Sequence, residues 1–589
     1  MDTPSTKDTE LVDNFRQWLQ KADAAHKKWR DTFRVEDLDK YWEGDQQPSW
    51  WNEDFFCPIN LIFANIQRQL DNFTTVTPYY HVRPSRTYTP VPDFLPQFEQ
   101  QAKVRESLLN AFVQSSVLKR EVRKTALDAY LAFGVIKVYY QPYLRENPNF
   151  GKNIPGLNTP QSPYRLFKEN FIASRRNPMD IRLDPFADSM ENLTKVAERV
   201  EYTLEEVQSN KLFKNTGDLK SYKARTEEKQ NDEERKRGSN SMQPMTGGNS
   251  SMPGSSLGKD REDIIHIWEV YDIKNQRIQA FADGHDKPLR DDDMPDAIDN
   301  HSYVFLWFID RRNSAYPIPG VWHQVGPQDE YNITRNQVML HRRRFNRKYQ
   351  TRESAISDTE LAKLENPYDG IVIKTKQDGE VIRPIQDAPL DQAVYFDTVQ
   401  LRRDFMDVSG EPVQESEISK IEKASVANLL AASQQGRMRG MRAVFQDFYQ
   451  SLACKLIKLY EVELTLPMAV TVAGADGYSW KQINPRAIQP SSTEYSYEVS
   501  ADSLVPQTPE GERASWLAYM EFMAIHPNFG ANPVIAEKTA RAFGVFDKQV
   551  IQAVIQAAQA TLEQAMLMGG SPGKPGISND SASKQMMCA

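Results

Sequence analysis

The sequence predicts an α+β protein, mainly helical and divided into several domains. Three observations support that expectation. The chain has 589 residues, enough for about three to five domains of the usual ~100–200 residues. Long runs keep their apolar residues at a helical period, at 57–73, 101–133, 328–352, 390–408 and 425–466. Strand-like runs are grouped, first after position 263 and again at 468–502. An apolar share of 40%, with 24 Tyr, 27 Phe and 10 Trp, is ample for real cores.

Taken in order, residues 1–50 are polar with helical spacing and close at Trp50-Trp51. "CPINLIFANIQRQLDNF" places Ile59, Ile62, Phe63, Ile66, Leu70 and Phe73 on one face of a helix. After a proline-rich link, 101–133 reads as one long helix stopped at Phe133-Gly134. "VIKVYYQPY" then has strand propensity. From 214 to 262 the chain turns charged and then rich in Gly, Ser, Pro and Met, which predicts a disordered or mobile surface insertion. "IIHIWEVYDIKNQRIQAFADG" reads as two strands about a polar turn, followed by "SYVFLWFID".

Pro327 with Gln328, Asp329 and Glu330 opens a helix well, since proline suits the first turn and acids suit the positive end of the dipole. Tyr331, Val338 and Phe345 recur at seven residues within it. From Tyr331 to Arg352 the segment carries seven Arg or Lys and no acid, although the whole chain has net charge -8. "DGIVIKTKQDGEVIRPI", 369–385, predicts two short strands joined at Asp378-Gly379. A second helix over 390–408 puts Val394, Thr398, Leu401, Phe405 and Val408 on one face. Gly410 and Pro412 end it, and a polar segment leads into the longest helical pattern, from Ser425 to about Leu466, which carries Gly436 and Gly440 inside it. The region near Asp547 is again helical, and the tail after Gly569 is low in complexity.

Chemistry is sparse. No G-x-x-x-x-G-K-[ST] occurs, so a P-loop nucleotide site is not expected, and there is no H-E-x-x-H. "GSSLG" at 254–258 matches a nucleophile elbow only formally, because its flanks are low in complexity. Asp291, Asp292, Asp293 and Asp296 would suit Mg²⁺ in a nuclease, but their setting reads as a solvated loop. Cys57, Cys454 and Cys588 are isolated, which points to reduced thiols in a cytoplasm-like compartment. The acidic, polar start is not a signal peptide, and no apolar run approaches the ~18 residues of a membrane span. An acidic balance also argues against a general nucleic-acid coat. No catalytic residue, metal site or cofactor is expected.

The order of parts over 263–505 resembles the portal, or head-to-tail connector, proteins of tailed bacteriophages. "DEYNITRNQVMLHRRRF" matches a stem helix, "DGIVIKTKQDGEVI" the clip, 390–408 a second stem helix, "SGEPVQESEISKIEKAS" the tunnel loop, and the long helix follows. "LDPFADSMENLTKVAERVEYTLEEV" looks like the wing, and the stretch from "SWKQINP" to "TPEGER" looks like its closing β unit. The implied division is a wing over 1–325 with its insertion at 214–262, a stem helix at 326–350, a clip at 351–389, a stem helix at 390–408 and a tunnel loop at 409–424. The long bent helix and closing wing β unit follow at 425–505, then a helical crown at 506–568 and a flexible tail at 569–589.

That resemblance implies a ring of about twelve copies at one capsid vertex of the virion. Double-stranded DNA would be packaged and ejected through its channel, with terminase, capsid protein and tail adaptor proteins as partners and no membrane. Candidate DNA-channel residues are Arg335, Arg342, Arg343, Arg344, Arg347, Lys348, Lys420 and Lys423. Three consecutive arginines spread over about 200° of helix surface, so they cannot all face DNA; the others pair with a neighbouring copy or meet solvent. The tunnel loop is represented by Gly410, Glu411, Pro412, Glu415 and Glu417, and the clip hairpin by Asp369, Gly370, Asp378 and Gly379. Another virion structural or scaffold protein, or a metal-dependent nuclease using the Asp291 cluster, is the alternative.

Overall fold

The computed structural model describes residues 6–51, 55–75, 77–85, 95–148, 150, 163–219, 264–344, 349–352, 355–365, 372–376, 381–385, 392–410, 424–474, 477–488, 495–499 and 517–522, with isolated positions at 536, 539, 555, 556, 559 and 560. In chain order the helices are α1 (Thr6–Thr32), α2 (Val35–Glu43), α3 (Leu61–Thr74), α4 (Leu95–Val113), α5 (Ser116–Leu131), α6 (Leu204–Ser209), α7 (Val325–Arg344), α8 (Asp358–Glu365), α9 (Gln392–Ser409) and α10 (Ala424–Glu463). The strands are β1 (Tyr80–Pro84), β2 (Gly134–Glu146), β3 (Tyr164–Arg176), β4 (Ile181–Leu183), β5 (Lys195–Thr203), β6 (Ile264–Asp272), β7 (Arg277–Ala282), β8 (Arg290–Asp293), β9 (Tyr303–Leu306), β10 (Tyr349–Thr351), β11 (Ile382–Pro384), β12 (Met468–Gly474), β13 (Gly477–Ile483) and β14 (Tyr495–Val499). Every described strand pair is antiparallel. That pairing, beside abundant helix, makes the fold α+β.

The chain divides into two compact units, residues 1–74 with 117–459, and 75–116 with 460–589. In the first, a five-stranded sheet runs β4-β5-β6-β7-β8 and a three-stranded sheet runs β3-β2-β9. β6 and β7 flank a tight turn, as the sequence predicts, in register from Asp272↔Arg277 to Ile267↔Ala282. Helix α1 lies on this body because its apolar face is aromatic. Phe15 stacks on Phe281 at 4.2 Å, and buried Trp29 donates its indole N–H to the Pro317 carbonyl at 2.7 Å. Trp29, Phe133, Tyr303, Phe305 and Tyr316 share one core. Gly134 opens β2 where a Cβ would sit 2.3 Å from the Thr125 carbonyl oxygen, so a close approach of strand to helix α5, rather than a helix stop, requires the glycine.

In the second unit, β1 pairs β14 and β12 pairs β13, with α4 packed on β1 and β12. Arg105 of α4 is fully buried. It meets Glu461 at 2.6 Å and the Ile488 carbonyl at 3.3 Å, and lies 4.2 Å over the Tyr495 ring.

Several expectations need correcting. The run 101–133 is two helices, α4 and α5, parted at Gln114-Ser115, where serines compete for backbone hydrogen bonds. Phe63 is exposed, and Asn65 takes the buried position instead. Residues 214–219 belong to the folded body: the Lys214 N–H bonds the Leu289 carbonyl at 2.7 Å, and Leu219 is buried against Tyr202 and Leu289. The remainder of the predicted insertion lies outside the described residues. The helix expected over 326–350 spans Val325–Arg344 as described, and Tyr349–Thr351 is a strand, as β-prone Tyr and Thr favour. The helix expected over 390–408, by contrast, is α9 over its described residues, Gln392–Ser409, and Gly410 after it has φ +73, a left-handed conformation that glycine adopts freely. The predicted long helix is α10, unbroken through Gly436 and Gly440. In the predicted crown, all described positions are helical. Among the described residues, no helix is long and apolar enough to cross a membrane.

Candidate nucleic-acid and assembly interface

The predicted site centres on α7 and α9, which pack together. The buried apolar residues of α7 are Val325, Tyr331 and Val338, all before its last turn and a half, and those of α9 are Leu401 and Phe405 in its second half. The described ends that border 345–391 are more exposed, with Arg342 on α7 and Phe396 and Val399 on α9 open to solvent.

What anchors α7 is a ladder of amides that the sequence reading missed. Gln324 precedes the helix, and Gln328, Asn332 and Asn336 follow at intervals of four, all four buried. Four residues are about one turn, so the side chains fall in one row. They bind the segment 46–65 largely as a strand neighbour would. The Gln328 side chain accepts from the Leu61 and Ile62 N–H groups at 2.9 and 3.2 Å and donates to the Ile59 carbonyl at 2.8 Å. Asn332 accepts from the Ile59 N–H at 2.9 Å and donates to Gln46 at 2.6 Å. Asn336 accepts from the Cys57 N–H at 2.8 Å and donates to the Cys57 carbonyl at 3.1 Å. Asn65 donates to Gln324 at 3.0 Å. Backbone groups of Cys57, Ile59, Leu61 and Ile62 thus find partners in side chains. The available signal was amides at a four-residue spacing on a predicted helix.

The predicted cations separate. Arg335 is half-buried and Arg342 exposed, and neither has a hydrogen-bond or ion-pair partner among the described residues. Arg343 and Arg344 occupy the last turn of α7, where the backbone alone is described. Arg347, Lys348, Lys420 and Lys423 lie outside the described residues, as do Glu411, Pro412, Glu415, Glu417, Asp369, Gly370, Asp378 and Gly379. Helix α9 adds two exposed cations that prediction missed, Arg402 and Arg403.

The hairpin expected about Asp378-Gly379 is replaced, for its described part, by a different pairing. β11 pairs β10, joining Ile382 to Thr351 and Pro384 to Tyr349. Residues 372–376 are not a strand. The Lys374 N–H goes to the Glu360 carboxylate at 3.2 Å and the Lys376 N–H to the Ala355 carbonyl at 2.9 Å, so α8 and the residues before it take the bonds a hairpin partner would have taken.

Of the Asp291 cluster, Asp291, Asp292 and Asp293 lie in a strand rather than a loop, and Asp296 in the turn that follows. β8 is the edge of the five-stranded sheet, and its acids answer basic neighbours. Arg277 meets Asp291 at 2.7 Å and Asp293 at 2.9 Å, and Arg290 meets Asp292 at 2.8 Å. The Arg290 partner holds the Asp292 carboxyl below its usual range. Among the described residues, no group of three or more His, Cys, Asp or Glu could hold a metal ion.

A second buried polar system joins the sheets. Lys137 of β2 is 2% exposed and Glu198 of β5 fully buried. Lys137 donates to Glu198 at 2.7 Å and to Glu269 at 2.6 Å, and Arg176 pairs with Glu198 at 3.1 Å. Tyr303 donates to Glu198 and Tyr202 to Glu269, each at 2.8 Å. Burial works against both charged forms, yet the carboxylates keep Lys137 above its ordinary value, and Lys137, Tyr202 and Arg176 keep Glu269 below its own.

No family model matches this chain, and no curated protein matches it significantly.

Proposed function

We propose that the chain is a portal subunit, a head-to-tail connector that forms a closed ring at one capsid vertex and conducts double-stranded DNA during packaging and ejection. One observation carries the proposal. The paired helices α7 and α9 flank an excursion, 345–391, that with α9 exposes apolar side chains in the single chain: Leu361, Val372, Ile385, Phe396, Val399 and Val408. Phe396 is 72% exposed. Exposed apolar residues on the excursion and on α9 call for a covering partner, and neighbouring copies in a ring would supply one. The order helix, excursion, helix, polar segment and 40-residue helix supports the same reading.

In this reading the chemistry of packaging belongs to a terminase, and the chain has no catalytic task. Arg335, Arg342, Arg402 and Arg403 are its candidate phosphate contacts. A conduit must hold such contacts weakly, because each neutralised phosphate adds salt-dependent affinity and would slow sliding DNA. Capsid protein and tail adaptor proteins are the further partners, met at the wing and the clip.

The test is the mass of the purified full-length protein. Twelve copies of a 67.6 kDa chain give a closed particle of about 810 kDa. Mass photometry and negative-stain images should show that mass with a central hole. Monomers and dimers alone at micromolar concentration, across several salts, would overturn the proposal.

A further inference from the structure

The hairpin of β2 and β3 extends beyond the sheet that roots it. β9 pairs β2 only over Gly134–Lys137, and past that point β2 and β3 form a two-stranded ribbon with no other strand paired to either among the described residues. Such a ribbon is marginal in water unless something covers it. Its far end is both apolar and basic. Tyr143, Leu144, Tyr164 and Phe167 are exposed there. The register jumps between Tyr143 and Leu144, which leaves Phe167 as an extra residue, and its ring lies 3.4 Å beneath the Arg145 guanidinium. A bulge of this kind re-aims a side chain.

The charges are arranged against the ribbon's own stability. Arg145 sits directly opposite Arg165, and like charges in that position repel. Neither they nor Lys168 has an ion-pair partner among the described residues. Among its described residues the far end, 143–147 with 163–168, carries Arg145, Arg165 and Lys168 against Glu146 alone. The tip therefore favours an anionic partner that also offers apolar surface. Duplex DNA offers phosphate but stacks its bases inside, leaving little for Leu144 and Phe167. The chain itself carries net charge -8 and presents a surface with both properties. The loop between β4 and β5 exposes Phe186, 75% accessible, beside exposed Asp188 and Glu191. It is held in shape by buried Asp184, which accepts from the Phe186 N–H at 3.0 Å, and by Asn192, which donates to Asp188 at 3.1 Å.

We propose that the ribbon tip is a docking arm whose partner is a second copy of this chain, received at the acidic loop around Phe186, Asp188 and Glu191. A head-to-tail contact requires two different, complementary surfaces on one subunit, and this pair meets the requirement. The proposal rests on the ring reading above, and the experiment separates the two.

Full-length wild type, Arg145→Glu/Arg165→Glu, Asp188→Lys/Glu191→Lys and all four substitutions together are compared by mass photometry over a concentration series, with circular dichroism confirming the fold. Each double variant should raise the concentration for half-assembly by about tenfold or more, since like charges across an interface cost several kcal/mol; the quadruple variant should recover most of the loss. Arg165→Gln, which relieves the repulsion within the ribbon, should leave the melting temperature of the unassembled chain unchanged or higher while weakening assembly. Wild type that never assembles would sink the ring reading. Wild-type rings with double variants that assemble equally well, or a quadruple variant with no recovery, would overturn this contact alone. Intact rings with weakened binding of a labelled DNA duplex would give the tip to nucleic acid and overturn it equally.

Discussion

Two buried polar systems in the same unit solve one problem in opposite ways. The system around Lys137 is ionic, with two cations and two carboxylates drawn from β2, β3, β5 and β6. The ladder on α7 is neutral, with amides that bind backbone. Charges removed from water are tolerable only while every partner is present, whereas a carboxamide is a donor and an acceptor whatever the pH. The ionic system ties together sheets that stay put. The neutral one fastens the helix that leads into the proposed stem, where the local field would change with each passing phosphate.

The largest break in that comparison should come from Lys137→Met. It leaves Glu269 without a cation in contact and Glu198 with Arg176 alone, and denaturant unfolding should show a loss of about 3–5 kcal/mol. A loss below 1 kcal/mol would mean that water reaches the site.

Acid should separate the two systems further. The folded chain holds Glu269 below its ordinary value of 4.5, so it binds that proton less tightly than the unfolded chain does. Its stabilisation is complete above about pH 4.5 and is lost as the pH falls further. Lys137, held above its ordinary 10.5, is the mirror case, complete below pH 10.5 and lost as the pH rises beyond it. The stability gap between wild type and Glu269→Gln should therefore shrink below pH 4.5, while the gap for Gln328→Ala stays constant. Gaps that move together would refute the distinction.

Gln328→Ala is the next test. It removes the side-chain partner of the Ile59 carbonyl and of the Leu61 and Ile62 N–H groups, leaving the Leu61 N–H its bond to the Ile59 carbonyl at 3.0 Å, for a cost of about 1–3 kcal/mol. Hydrogen exchange should quicken at Leu61 and Ile62 before it does in the sheets. The smallest effect should come from Arg277→Gln on the exposed edge: despite its short bridges to Asp291 and Asp293, a surface pair is worth about 0–1 kcal/mol and fades with salt.

Much of the fold was legible because local rules and tertiary packing agree in it. α9, α10 and the β6–β7 hairpin follow from periodicity and turn residues, and the stop at Gly410 from glycine's freedom at positive φ. The misses share a different cause. Gln328, Asn332 and Asn336 were passed over because amides are usually surface residues, and their burial depends on a strand-like segment some 270 positions earlier. The pairing of Tyr349–Thr351 with Ile382–Pro384 is likewise non-local, so the hairpin signal at Asp378-Gly379 pointed to the nearer partner. Asp291 to Asp293 looked like solvated loop because Arg277, which answers two of them, lies on another strand. Of the candidate DNA contacts, Arg335 and Arg342 could be found from charge alone, whereas Arg402 and Arg403 lacked the concentration of cations that draws notice.

The pairing of β1 with β14 has a consequence for how the protein is made. Gln101 and Tyr495 hydrogen-bond across 394 positions of chain, and among the described residues Tyr80–Pro84 pairs with no strand but Tyr495–Val499. A ribosome adding about 5–20 residues per second leaves the early segment waiting about 20–80 s for that partner. Through that interval β1 lacks its strand partner and has α4, made soon after it, as the element packed on it. The order of synthesis therefore differs from the order of packing in this unit: its first strand is among the last to be paired.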